Sequence, residues 1–150
     1  MTSPMGAWQA ALASEHRAVF GYGVLGPHLR GAEQALAIAC SNAHEQLRDR
    51  TEDALVTAGA TPVQPLADYP DVYPASTTTA ARTLAAQLED NCASAWRYAY
   101  FAASSETSPL ATQVRAAAQA ALSASALRAT KWRVIIDPTH ATVAFPGIDG

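Results

Sequence analysis

Glu15 and His16 stand side by side in an otherwise apolar stretch, SEHRAVFGYGVLG, residues 14–26. Further along come His44, Glu45 and Arg48, then Glu89, then Arg128, each inside a run rich in alanine and leucine. Carboxylates and imidazoles held on apolar helical faces can ligate a metal ion or exchange protons. They can also neutralise a buried cation. A buried charge with no partner costs several kcal/mol, so each such residue must be matched by another. The question is which of them face one another.

The elements that would position them are long helices. Apolar residues recur with helical period over about 5–29, 32–58, 76–104 and 109–135, and residues 138–150 form a short tail. Ser3-Pro4 and Ser108-Pro109 carry the N-cap and first-turn signature of a helix start. Gly31 and Gly59 are the expected stops of the first two helices. Pro27 should bend or fray the end of the first. Gly21, Gly23 and Gly26 cost helix propensity unless a neighbouring helix packs close there. In the tail, alternating residues suggest a brief extended stretch, with disorder as the competing reading.

Connection lengths restrict the topology. The first and second helices, and the third and fourth, are joined by a few residues, so each pair forms an antiparallel hairpin. Residues 60–75 hold Pro62, Pro65, Pro70 and Pro74 and read as extended. At about 3.1 Å per residue this link spans roughly 50 Å, against roughly 40 Å for a 27-residue helix. It can therefore cross the whole molecule and leave the second and third helices parallel. The expected fold is all-α, a single four-helix bundle with one long crossover between helices two and three.

Helix faces follow from a turn of about 100° per residue. Trp8, Leu12, Val19 and Tyr22 define the inner stripe of the first helix, with Glu15 in its middle and His16 at the edge or outside. On the second helix His44 lies just off the stripe of Leu36, Cys40, Ala43, Leu47 and Ala54, Arg48 lies on its flank, and Glu45 points away. On the third, Glu89 sits about one position round from the stripe of Leu84, Leu88, Cys92, Ala95 and Ala99, near Trp96. Arg128 falls on the fourth helix's inner face with Leu110, Val114, Ala117, Ala121 and Trp132. The expected site is a polar layer of Glu15, His44, Arg48, Glu89 and Arg128, with Glu15 paired to the arginines and Tyr22 and Tyr98 within donating reach. Three of these, Glu15, His44 and Glu89, are the candidates for a single metal ion, the alternative to a salt-bridged core. A third possibility is that the arginines hold a small anionic molecule.

The segments EHRAVFGYGVLG, AHEQLRDR, LADYP, Leu88-Glu89 and LRATKWR resemble a ferritin-like domain family of unknown function, typical of high-GC bacterial genomes. The resemblance covers nearly the whole chain and implies a ferritin-like four-helix bundle. Ferritin-like di-metal proteins supply a Glu on two helices and Glu-x-x-His on the other two. Matched residue by residue, this chain offers Glu15, Glu45 with Arg48, Glu89, and Ser125 with Arg128. Arginine is always protonated and cannot ligate a metal. The resemblance therefore implies a bundle whose di-metal centre has been replaced by a Glu-Arg core, with no cofactor and no established activity.

Composition excludes several classes. The net charge is −3 and Lys131 is the lone lysine, so no basic stripe exists for nucleic acid. No apolar run reaches the ~18 residues of a spanning helix, and no leader is apparent. Cys40 and Cys92 lie mid-helix and read as reduced core thiols of a cytoplasmic protein. The aromatic pairs Tyr98/Tyr100 and Trp96/Trp132 suit a core or a homodimer interface. No phosphate-binding loop, CxxC pair or nucleophile elbow is present. The chain reads as a structural or interaction module rather than an enzyme.

Overall fold

A computed structural model describes residues 2–148. Met1 and the tail's last two residues, Asp149 and Gly150, lie outside the described part. Four long helices carry the chain: α1 (Pro4–Leu25), α2 (Gly31–Thr57), α3 (Thr78–Ser104) and α4 (Pro109–Ile136), and no strand occurs among the described residues. Three starts are capped by hydroxyls. Ser3 accepts from the Gly6 amide, Thr77 from Ala80 and Ser108 from Ala111, each at 3.1 Å. Such caps contribute about 1 kcal/mol apiece.

The end of α1 differs from expectation. The α-helix stops at Leu25 and tightens into a 3₁₀ turn over Gly26–His28, because Pro27 has no N–H to continue the ladder. Gly31 does not end this helix. With φ +58° it opens α2 after an extended Arg30. Of the three glycines only Gly21 marks a close approach: a Cβ there would lie 2.6 Å from a Leu88 methyl, whereas Gly23 and Gly26 face open space.

Side-chain pairs give the helix directions. Tyr22 bonds Glu89 while Trp96 bonds Glu15, so α1 and α3 are antiparallel. Arg128 meets Glu89 while Arg115 meets the Ala103 carbonyl, so α3 and α4 are antiparallel as well. The link over 60–75 runs along α1. Gln9 bonds both Thr61 and Val63, Arg17 holds Asp71 at 2.6 Å, and Thr78 reaches the His28 carbonyl. Chain order along α1 thus matches chain order along the link, and the link is a strap laid over one face of α1. Helix α2 then runs back from that end of α1, which leaves α2 and α3 parallel. The tail makes a 3₁₀ turn over Pro138–His140, and Ser94 on α3 donates to the Gly147 carbonyl; among the tail's described residues no strand pairing forms.

Two apolar clusters fill the interior. One gathers Trp8, Leu12, Leu55, Trp96 and Val114, the other Tyr22, Leu25, Leu84, Leu88 and Trp132. The charged layer lies between them. The backbones of α2 and α4 do not approach each other as α3 and α4 do, and a cleft opens between them.

Candidate functional site

Glu15, His44 and Glu89 are each fully buried. They come from α1, α2 and α3 and meet at one level. His44 stands in the middle: its Nδ1 lies 2.5 Å from Glu15 Oε2 and its Nε2 lies 2.9 Å from Glu89 Oε1. A carboxylate can only accept, so both ring nitrogens must donate, and a ring that donates twice is an imidazolium. Burial works against that charge, but the groups packed around it, Cys92, Glu15 and Glu89, outweigh burial and hold the imidazole protonated well above its usual range. The Cys92 thiol is itself pushed up to about 11, by burial first and then by Glu15. It is neutral near pH 7, so the two carboxylates supply the compensating charge.

The remaining donors close the layer. Trp96 Nε1 donates to Glu15 Oε1 at 2.7 Å. Tyr22 donates to Glu89 Oε1 at 2.7 Å and accepts from Trp132 Nε1 at 2.9 Å. The Tyr22 ring stacks on His44 with centroids 5.6 Å apart. Arg128 Nε contacts both oxygens of Glu89, at 3.1 and 3.0 Å, and its Nη2 donates to Ser125. Burial would raise the Glu89 carboxyl, yet His44, Arg128 and Tyr22 hold it below the usual range. Burial and Glu89 together push the Tyr22 phenol up, so it stays a donor. Two carboxylates face one imidazolium and one guanidinium, and the layer is neutral.

Four of the five residues expected in the layer are in it, but the pairing is not the expected one. Glu15 holds His44 and Trp96 rather than an arginine. Arg128 serves Glu89. Arg48 is absent: its guanidinium turns out to Asp49, with Nε 2.8 Å from Oδ1. A residue on the flank of a stripe with a long stem can swing to solvent, and it escapes desolvation by doing so. Tyr98 is exposed and donates nothing to the layer. His16 lies off the inner stripe, where its angle placed it, but is not open to solvent. It is 4% exposed because the strap covers that face of α1, and its Nε2 donates to the Val63 carbonyl at 2.9 Å. Sequence reasoning missed Trp96 and Trp132 as donors. The signal was available, since a buried indole N–H needs an acceptor.

The donor set does not suit a di-metal centre of the kind that Glu and Glu-x-x-His helices build. Every oxygen of Glu15 and Glu89 already accepts from a protein donor, and a guanidinium reaches into the layer. Ligand atoms of Glu15, His44 and Cys92 lie within 4.8 Å of one another. A cation there would have to displace the His44 proton and ionise a thiol that burial keeps neutral. Four surface clefts among the described residues are lined by none of Glu15, His44 and Glu89, while Arg128 lines one of them.

No helix among the described residues is long and apolar enough to cross a membrane. No curated protein matches the chain. It is similar in structure to a conserved hypothetical protein, Rv2844, from Mycobacterium tuberculosis, known from a crystal structure. The two are 29% identical, the match covers 86% of this chain and 93% of that one, and the TM-score is 0.77. Residues 7–150 match the model of a domain of unknown function, DUF4439. The chain belongs to the DUF4439 family.

Proposed function

We propose that this chain is a ferritin-like domain without a di-metal centre, and that it acts as a structural or interaction module rather than an oxidoreductase. Two antiparallel hairpins joined by an end-to-end strap support the ferritin-like reading. The observation that carries the rest is the His44 imidazolium between Glu15 and Glu89. It fills the space between two carboxylates with a charge of the protein's own. A core satisfied in this way holds four helices in register and leaves no open coordination position.

Metal analysis of protein grown in iron- and manganese-rich medium tests this. Metal far below one ion per chain is expected. A stoichiometric ion that disappears in Glu15→Ala would overturn the proposal. The same measurement addresses the second reading, one ion on Glu15 and His44 with either Glu89 or Cys92 as the third ligand, which the spacing of Glu15, His44 and Cys92 favours. Loss of that ion in Cys92→Ser would identify the thiol as its third ligand. The module is proposed to work as a homodimer, and sedimentation equilibrium of the full chain reads this directly; a monomer throughout the accessible concentration range would remove that part.

A further inference from the structure

The cleft between α2 and α4 encloses about 460 Å³, within the size range of small-molecule sites. Alanine recurs in its walls, with Ala43 and Ala54 on α2 and Ala117, Ala121 and Ala124 on α4, beside Leu47. Two positive groups, Arg50 and Arg128, line it and no acidic side chain does. Arg128 is already matched by Glu89, so Arg50 leaves the cleft with positive charge that nothing in its lining offsets.

A second observation is independent of shape and charge. Trp8 lines this cleft and is 1% exposed. Its Nε1 is the one buried side-chain polar atom among the described residues with no hydrogen-bond partner. The other two tryptophans, Trp96 and Trp132, each have an acceptor. An indole N–H only donates, and a buried donor is costly to leave unmade. Trp8 lines the cleft, and because Nε1 itself has almost no accessible surface, an acceptor seated there meets it once the indole turns toward the opening.

We propose that the α2–α4 cleft binds a free small amphiphile with an apolar body and a carboxylate head group. The apolar walls take the body, Arg50 supplies the complementary charge, and the head group accepts from Trp8 Nε1 once the indole turns toward it. This site stands apart from the buried layer and does not depend on whether that layer can hold a metal.

Decanoate, kept below its micellar concentration, is a suitable probe with the ¹⁵N-labelled full chain. The three tryptophans give three indole N–H signals, and Trp8→Phe identifies the one of interest. Decanoate should move the Trp8 signal saturably. Arg50→Glu, at an exposed position, should weaken binding about ten-fold or more, the weight of a charge-assisted contact. Decylammonium should bind more weakly by at least as much. Ala124→Phe, with helical content checked by circular dichroism, should abolish the shift by filling the cleft. The proposal is overturned if decanoate leaves the Trp8 signal unmoved, if decylammonium binds as well, or if Arg50→Glu binds like wild type. It is equally overturned if decanoate has no effect while Ala124→Phe turns a dimer into a monomer, for the cleft then belongs to a second copy of the chain.

Discussion

Raising the pH from 6 to 8 should weaken the fold, and His44 sets the amount. An unfolded histidine loses its proton near pH 6.5. In the folded chain the ring donates to Glu15 and Glu89 and keeps its proton far above that. Above pH 6.5 the folded state therefore binds one more proton than the unfolded state. This stabilisation is complete below 6.5 and falls by up to about 1.36 kcal/mol for each pH unit above it. Across the interval from 6 to 8 the loss is about 2 kcal/mol, a sizeable share of the 5–15 kcal/mol typical of a domain. Urea unfolding at the two pH values measures it. The ¹⁵N shifts of the imidazole measure the cause: His44 should report two protonated nitrogens at pH 8. A neutral His44 ring at pH 8, with one bare nitrogen, would refute the reasoning, because a bare nitrogen cannot face a carboxylate at hydrogen-bond distance. Stability that rises over the same interval would refute it as well.

Two further outcomes follow from the packing. Arg128→Ala should cost about 3–5 kcal/mol, since it removes one partner of a buried pair and leaves Glu89 with excess charge; the double change Arg128→Met with Glu89→Gln should cost less, and urea titration separates them. Gly21→Ala and Gly23→Ala should shift the melting temperature in opposite directions. At position 21 the new methyl meets Leu88 and overpacking costs about 1–3 kcal/mol. At position 23 nothing lies within 4 Å, and the gain is up to about 1 kcal/mol in helix propensity.

Much of the fold was legible because its signals are local. Ser3-Pro4 and Ser108-Pro109 carry the signature of a helix start, and four prolines in 60–75 exclude a long α-helix there, although Pro70–Val72 makes a 3₁₀ turn. The membership of the charged layer was also largely legible, because Glu15 and Arg128 fall on inner stripes and cannot be buried unmatched. The pairing was not. Facing angle says which side of a helix a residue occupies, while partners depend on how neighbouring helices rotate and how far each side chain reaches. Arg48 shows the second effect: a stem long enough to enter the core is long enough to leave it. His16 shows a different limit. Its angle placed it correctly away from the inner stripe, but a strap from elsewhere in the chain covers that side, and no periodicity within α1 carries that information.

The neutrality of the layer restricts how this chain can change. Glu15, His44, Glu89 and Arg128 come from four different helices, widely separated in sequence. Replacing any one by an uncharged residue leaves the layer with a net charge, and of the four only Arg128, at the cleft, has water within reach. Drift at these positions must therefore proceed by compensating pairs, one acid with one base, and intermediates with a single change are selected against on stability alone. Relatives should then carry the layer whole or lose it in matched halves, so a homologue that keeps Glu89 but lacks any cation at positions 44 and 128 is the one in which to look for a metal.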